Sequence, residues 1–328
     1  MRTPNSPVRK DVPAFAALVL VLALAAPVAA RADVSIYQSI VPMTSGKDEA
    51  FAEALRTTAV RASGRADAGA NKVVAGAAAN PGRYVQEYST TPDRYLKVGF
   101  DAQAIDRLLQ QAGLPVWPLE RPVTQVLLVV PSAGGGTRAI VAGDRVPERT
   151  DVEKAAEARG LPIGWPRGTV PAAGVRSAVA AGGAGASAEA SLRPVLAGFA
   201  QDGAFSWRFT EGGKSVTVTG SIDDGVNLAA DGLAARYAPA STRTTSLVPV
   251  RVGGIADVRA YAGLIEYLKS LSLVRDIQVT EMAEGVVSLQ LAVRGDLELP
   301  KRIAALDERL QAGTAGEGGS GVDFTYVP

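Results

Sequence analysis

Three chemically versatile side chains lie within five residues of one another in the segment GLPVWPLERPV. Trp117 offers an aromatic face, Glu120 a carboxylate and Arg121 a guanidinium, on a loop stiffened by prolines. Because Arg and Trp dominate binding hot spots, this cluster is the candidate binding site of the chain. The alternative is structural, and it is favoured because large aromatic residues are more often core than contact. In that case Trp117 plugs the end of a packed layer, and Arg121 pairs with Glu120 or with a helix C-terminus.

Four carboxylates are the candidates for general acids or bases, namely Asp101, Glu120, Asp223 and Asp224. Paired carboxylates can divide such work, and hydrolysis of a glycan needs two of them roughly 5–10 Å apart across a cleft. Each of the three aspartates, however, stands where a helical pattern begins, and capping of the helix accounts for it without chemistry. We therefore predict no catalytic residue in this set.

The chain contains no cysteine and no histidine. Their absence excludes disulfides, thiol nucleophiles, thiolate metal sites, imidazole bases and the Ser-His-Asp triad. Carboxylates, Lys, Tyr, Ser and Thr remain for catalysis. The Gly-rich stretches SAGGGTR and AGGAGAS lack the spacing of a phosphate-binding loop, and we interpret them as turns or linker. The sequence accordingly predicts no cofactor, no metal site and no enzyme activity.

The first 32 residues have the parts of a secretory signal peptide. A basic leader, MRTPNSPVRK, precedes the apolar core FAALVLVLALAAPVAA, and small residues surround a cleavage point after Ala32. The alternative, a retained membrane anchor, is less consistent with the proline inside that apolar core. We expect a periplasmic protein with no stable membrane span after cleavage. The whole chain has a formal net charge of +1, and removal of the leader, whose net charge is +3, leaves −2. A nearly neutral mature protein has no electrostatic reason to bind nucleic acid or an anionic membrane.

A strand, turn, strand, helix pattern occurs three times along the chain. The first copy is YVQEYSTTPDRYLKVGF followed by a helix from Asp101, and the second is FSWRFTEGGKSVTVTG followed by DDGVNLAADGLAARY. The third is RDIQVTEMAEGVVSLQLAVRG, followed by a helix that Pro300 opens and whose inward face includes Leu310. Alternating apolar residues in the strands and helical spacing after them predict an α+β fold of two-layer domains built from repeated β-hairpin-plus-helix units.

The order of elements from 246 to 327 is β-α-β-β-α-β, which is the ferredoxin-like arrangement of two helices on one antiparallel sheet. Residues 170–191 are nearly all Ala, Gly and Ser, and we interpret them as a linker or loop with at most one frayed helix. The predicted division of the chain is a signal peptide at 1–32, an N-terminal α+β domain at 33–169, the linker at 170–191, a hairpin-helix unit at 192–245 and the ferredoxin-like domain at 246–328.

The segments AVRASG, YVQEYS, YLKVGFDAQAIDRLLQQAGLPVWPLERPVTQVLLVV and ARGLPIGWP form a pattern whose most specific residues are Phe100, Asp101, Gly113, Pro115, Trp117, Arg121 and Pro122. This pattern resembles the DUF2066 proteins, which are exported bacterial proteins of uncharacterised function. The resemblance is strongest between 35 and 166. After GLP the family continues into an acidic stretch, whereas this chain reads IGWPRGTV, so no acidic site is carried over. The resemblance implies export and no particular activity.

Three classes of function remain open. The leading hypothesis is a non-enzymatic periplasmic scaffold that binds another component of the bacterial cell envelope, since exposed sheet edges can accept a partner strand. The first alternative is a carboxylate-dependent hydrolase of an envelope polymer such as peptidoglycan. The second is a small-molecule binding module, which requires a concave pocket lined by Trp117 and Arg121. The sequence leaves the identity of the partner and the oligomeric state open.

Overall fold

The structure is a computed structural model that describes residues 35–132, 134–180, 193–238, 245–294, 309–313 and 323–328. Within these ranges the chain is a mixed α+β protein with seven α-helices and three sheets, none of them closed into a barrel. The predicted signal peptide at 1–32 lies outside the described residues. None of the helices in the described ranges is both long enough and apolar enough to cross a membrane.

The first unit is a three-stranded antiparallel sheet covered on one face by helices. Its strand order is β1-β3-β2, and its elements are β1 (Gln38–Pro42), α1 (Lys47–Ser63), α2 (Lys72–Ala78), β2 (Val85–Thr90), β3 (Tyr95–Phe100) and α3 (Ala102–Gln111). Leu96, Val98 and Phe100 alternate into the core, as the period-2 pattern predicts. The Asp101 Oδ1 atom accepts the Ala104 N–H at 2.7 Å, so the predicted cap of α3 is confirmed.

The second unit is a six-stranded sheet with helices on both faces. Its strands are β4 (Thr124–Pro131), β5 (Thr137–Ala139), β6 (Ile163–Gly164), β7 (Val195–Gln201), β8 (Ala204–Glu211) and β9 (Lys214–Gly220), in the order β5-β4-β7-β8-β9 with β6 beside β4. Its helices are α4 (Pro147–Arg159), α5 (Ala172–Ala180) and α6 (Ile222–Tyr237). Strand β4 is parallel to β6 and β7, whereas the other pairs are antiparallel. Leu128 packs in the core with α4 and α6, while the neighbouring Val129 packs with α5.

This sheet joins strands from two segments that the sequence division kept apart. Strand β4 belongs to the predicted domain at 33–169, whereas β7, β8 and β9 belong to the predicted unit at 192–245. Part of the predicted linker at 170–191 is α5, which is the one helix that the prediction allowed for there. Val175 and Val179 lie one helical turn apart and are buried against the sheet, which explains why a segment this rich in Ala and Gly is ordered as a helix. Residues 181–192 lie outside the described ranges.

The third unit has the strand order of a ferredoxin-like domain. Its elements are β10 (Thr245–Gly253), α7 (Val258–Ser270), β11 (Val274–Ala283), β12 (Val286–Arg294), β13 (Leu310–Ala312) and β14 (Phe324–Tyr326). In the order β11-β12-β10-β14-β13 the first four strands follow the ferredoxin-like order, but the sheet is not antiparallel throughout as predicted, because β14 is parallel to β10 and β13 is an additional edge strand. The predicted helix from Pro300 falls largely outside the described residues. The prediction that Leu310 lies on the inward face of this helix is wrong, because Leu310 is the buried first residue of β13, opposite Tyr326.

The repeated hairpin-plus-helix pattern is confirmed for the first two copies, β2-β3-α3 and β8-β9-α6, and the hairpin of the third is β11-β12. One detail of the second copy was predicted wrongly. The N-cap of α6 is Ser221 rather than Asp223 or Asp224. The Asp224 carboxylate instead accepts the Ser221 N–H at 2.8 Å, which completes a capping box. These bonds lower the pKa of Asp224.

Candidate functional site at the junction of the sheets

Trp117 and Arg121, the centre of the predicted binding cluster, are buried. Trp117 is 0% exposed and Arg121 is 8% exposed. The Trp117 N–H donates to the Ala62 carbonyl in the last turn of α1 at 2.8 Å. Its indole N–H is buried with no hydrogen-bond acceptor in the part of the chain that the structure describes, which is uncommon for a buried indole. The structural alternative stated for Trp117 therefore agrees with its position.

Arg121 uses its guanidinium to join the C-terminal ends of α1 and α4. Its Nη1 donates to the Gly160 carbonyl at 2.6 Å, and its Nη2 donates to the Arg61 carbonyl at 2.9 Å. Two further bonds go to carbonyls of its own loop, those of Pro118 and Trp117. The last carbonyls of a helix lack partners within the helix and carry partial negative charge, so a cation is favourable there. Burial lowers the pKa of Arg121 to about 9, which leaves the group charged at neutral pH.

Two glycines make this close convergence possible. Gly64 ends α1 with φ 70°, and Gly160 ends α4 with φ 62°, both in the left-handed conformation that glycine adopts most readily. A Cβ atom on Gly64 would lie 2.6 Å from the Trp117 ring, and a Cβ atom on Gly160 would lie 2.5 Å from Arg121 Nη1. Each helix thus ends on a residue without a side chain because Trp117 and Arg121 occupy that space.

Two more buried arginines complete what we call the arginine junction, defined as Arg61, Arg121 and Arg159. Arg61 Nη1 donates to the carbonyl of Gln38, the first residue of β1, at 2.6 Å. Arg159 Nη2 donates to the Gly64 carbonyl at 2.8 Å and also contacts the carboxylate of Asp231 on α6. Burial lowers the pKa of Arg61. The junction therefore connects α1, α4 and α6, which belong to the first and second units.

Glu120 connects the same loop to the third unit. Its Oε1 accepts the Ser272 N–H at 2.8 Å, and its Oε2 accepts the Ser272 hydroxyl at 2.6 Å. A second connection is made by Asp106 on α3, whose carboxylate accepts from Tyr37 Oη at 2.8 Å and from Arg294 Nη1 at 2.9 Å. Burial first, and Asp106 second, raise the pKa of Tyr37. Both carboxylates thus tie structural units together.

Trp117, Glu120 and Arg121 therefore lie together as predicted, but as a junction inside the molecule. The partners Arg61, Arg159 and Ser272 were missed, because each is distant in sequence and nothing in its local pattern indicates the contact. Of the other acids, Asp101 caps α3, whereas the adjacent Asp223 and Asp224 lie in the first turn of α6. Among the described residues there is no group of three or more acids that could hold a metal ion.

Two open surface grooves lie elsewhere. The first, of about 480 Å³, runs along α1 beside Glu53 and Arg56. The second, of about 660 Å³, lies between α4 and the two ends of the β8-β9 hairpin, beside Lys154, Phe205 and Asp223. Neither is lined by Trp117 or Arg121.

The comparisons with known proteins correct the resemblance to DUF2066. The residues that carried it have local structural duties: Asp101 is a helix cap, Gly113 has φ 68°, and Trp117 is core. Helix caps, left-handed glycines and buried aromatic residues occur in unrelated folds, so the pattern does not discriminate between families. No curated protein and no solved structure matches the chain. Residues 30–118, which include the first sheet and its helices, match a different family of uncharacterised proteins, the domain of unknown function DUF8605.

Proposed function

We propose that this chain is an exported, non-enzymatic scaffold protein of the bacterial cell envelope that binds a protein partner. The signal-peptide pattern of residues 1–32 supports export to the periplasm. The structural duties of Asp101, Glu120 and Asp224 support a non-enzymatic role, since each is engaged in holding the fold. The burial of Trp117 and Arg121 disfavours a small-molecule site built on them.

The proposal rests on one observation: the contacts that connect the three units leave two edge strands unpaired. The arginine junction and Glu120 tie the three units through their helix ends and loops. These contacts do not use the outer strands β9 and β11, which have no strand neighbour on one side among the described residues. Near the start of β11, Arg275 forms an ion pair with Asp106 of α3, and the rest of that edge stays open. A firmly connected body with long unpaired strands is suited to capture an extended segment of another protein by strand addition.

Strand β11 is the edge that we assign to the envelope partner. It is ten residues long, and every position except Val274 and Ile277 is exposed. Two register irregularities interrupt its pairing with β12, and Asp276 and Glu281 stand next to them. Bulges and charges hinder indiscriminate pairing of an edge strand. They favour instead a partner strand with basic residues opposite the two acids, because complementary charge selects the correct segment and disfavours others.

Affinity capture of the tagged chain from crosslinked envelopes tests this proposal. Gln278→Pro and Val279→Pro form one pair of variants. Successive N–H groups of a strand point in opposite directions, so one proline removes an N–H that faces the open edge and leaves the hydrogen bonds to β12 intact, whereas the other removes a hydrogen bond to β12. Glu281→Lys reverses a charge on the same edge. Asp93→Lys, on the exposed turn of the β2-β3 hairpin, is the matched control.

We expect the wild-type chain to capture one protein that Glu281→Lys does not capture. The proline variant that keeps the wild-type unfolding midpoint should also fail to capture it, whereas Asp93→Lys should retain it. Equal capture by all folded variants would overturn the assignment of β11. A hydrolytic activity on peptidoglycan that survives in these variants would overturn the non-enzymatic role itself.

A further inference from the structure

The edge strand β9 differs from every other edge in the described part of the fold. It pairs with β8 in an uninterrupted register from Glu211 opposite Lys214 to Phe205 opposite Gly220. Its sequence, KSVTVTG, alternates valine and threonine and contains no proline. The remaining edges are interrupted or short: β1 ends in Pro42, β2 and β11 have register irregularities, β5 and β13 have three residues each, and β6 has two. Apart from Lys214 at its first position, β9 therefore lacks the features that keep an edge from pairing.

Apolar surface accompanies this open edge. Val216 and Val218 lie on the same face of the sheet as Phe209 and Trp207, their partners on β8. That is the face covered by α6, yet Val216 remains 55% exposed. Gly225 and Gly232 of α6 pack directly against the rings of Trp207 and Phe209, which places the helix over β8. The outer rim of the face, at Val216, is left uncovered by the helix.

We propose that β9 pairs with β9 of a second copy of this chain, antiparallel and centred on Thr217. Residues that face each other across such a pair must point to the same side of the sheet, so their positions in the strand differ by an even number. One residue therefore faces its own copy, and the two-fold axis passes between these two residues. Centring it on Thr217, the middle of the seven-residue strand, pairs every residue of β9. Val216 of each copy then lies opposite Val218 of the other, which covers the exposed valine, and the two sheets become one continuous sheet with both α6 helices on the same face.

Charge supports the same register. Lys214 begins β9, whereas Asp223 lies in the first turn of α6, three residues after the strand ends at Gly220. Neither side chain forms an ion pair with any residue in the described ranges. Antiparallel pairing about Thr217 places Lys214 opposite Gly220 of the other copy, on the face that α6 covers. Each lysine is thereby brought beside the acidic first turn of the other copy's α6, so two complementary contacts form by symmetry.

This pairing goes beyond the proposed function and uses a different strand from the one assigned to the envelope partner. A dimer joined at β9 leaves both β11 edges free. It would therefore present two partner-binding strands from one rigid assembly, which raises avidity for a repeated partner.

Engineered disulfides give a direct test, because the chain has no cysteine of its own. In the proposed register, Thr217 faces Thr217 of the other copy at about 4.5–5.5 Å between Cα atoms, within the range that a disulfide requires. Thr217→Cys should therefore give a covalent dimer under mild oxidation. Thr219→Cys is the matched control, since Thr219 faces Ser215 and the two copies of Thr219 lie roughly 13 Å apart along the strand. A mixture of Ser215→Cys and Thr219→Cys chains should restore the covalent dimer.

A charge exchange tests the proposal without a covalent bond. Lys214→Glu and Asp223→Lys should each weaken the dimer at least tenfold in sedimentation equilibrium, and the double variant should recover most of the lost affinity. A monomeric wild-type chain, crosslinking of Thr219→Cys in place of Thr217→Cys, or a double variant weaker than both single variants would overturn the proposal. Loss of the dimer in the charge variants while envelope capture through β11 continues would leave the proposed function intact, so the two failures are distinguishable.

Discussion

The guanidinium of Arg121 lies over the indole of Trp117, with 4.0 Å between Cζ and the ring centroid, while its nitrogens donate to backbone carbonyls at the ends of two helices. The ring supplies a favourable face for the cation, and the carbonyls supply the hydrogen bonds that a buried charge needs. This pair is the centre of the connection between the first and second units. The most conspicuous functional motif of the sequence is therefore part of the framework.

The first prediction concerns the geometry of Arg121. Arg121→Lys keeps the charge but cannot reach the Gly160 and Arg61 carbonyls together, because an ammonium is a single compact group and a guanidinium is a planar fork. Leaving buried carbonyls unpaired should lower the free energy of unfolding by about 3 kcal/mol. Urea unfolding measures the change. Arg107→Lys on the exposed side of α3 should cost less than about 0.5 kcal/mol, and equal effects of the two variants would contradict the role of Arg121.

The second prediction separates backbone strain from steric conflict at the end of α1. Gly64 has φ 70° and faces Trp117, whereas Gly113 has φ 68° with open space around it. Gly113→Ala should therefore cost only the conformational strain, about 1 kcal/mol. Gly64→Ala should cost roughly 1–3 kcal/mol more, because the new methyl group collides with the ring and with Ala234. Thermal denaturation of the two variants compares them, and equal melting temperatures would contradict the packing described for Trp117.

The third prediction concerns the connection between Glu120 and Ser272. A double-mutant cycle with Glu120→Ala and Ser272→Ala should give a coupling free energy of about 1 kcal/mol, since the two side chains share a charge-assisted hydrogen bond. Urea midpoints of the four proteins supply the cycle. The pair Asp93→Ala and Ser272→Ala should be additive within about 0.5 kcal/mol, because no contact joins those side chains. Additivity of the Glu120 cycle would show that the third unit is not held by this bond.

The fourth prediction is a loss of stability at alkaline pH that depends on Tyr37. Burial and the Asp106 carboxylate raise the pKa of Tyr37 above its ordinary value of 10.0. Above pH 10 the unfolded chain loses the phenol proton while the folded chain keeps it, so the folded state binds more protons and the free energy of unfolding falls as pH rises. Urea midpoints at pH 8 and about pH 11 measure this fall. It should be smaller for Tyr37→Phe than for the wild type, and an equal fall in both proteins would contradict the assignment.

Local features of the fold could be predicted from the sequence. The cap of α3 at Asp101 depends on neighbouring residues, and the helical pattern that begins there predicts it. The first two hairpins follow from alternation and turn residues over fewer than twenty positions. These elements are short-range, so the signal that specifies them is contained in the segment itself.

The candidate site and its structural role could be inferred from the sequence, but the distant partners of its residues could not. Arg121 reaches Gly160 across 39 residues and the Arg61 carbonyl across 60, and Glu120 reaches Ser272 across 152. The parallel strands β4 and β7 are likewise separated in the sequence by β5, α4, β6 and α5. Contacts of this kind depend on how whole units pack. The sequence places Trp, Glu and Arg in one segment, but it does not indicate which distant residues they contact.

Site-specific photocrosslinking in intact cells tests the central claim most directly, namely that binding occurs on a sheet edge and that the Trp117 and Arg121 cluster is framework. A photoreactive residue at Gln278 probes the middle of β11, and one at Leu119, which is 52% exposed, probes the surface beside the cluster. We predict a discrete crosslink from Gln278 to another envelope protein and none from Leu119. A crosslink from Leu119 with none from Gln278 would contradict the account and return the binding site to the loop.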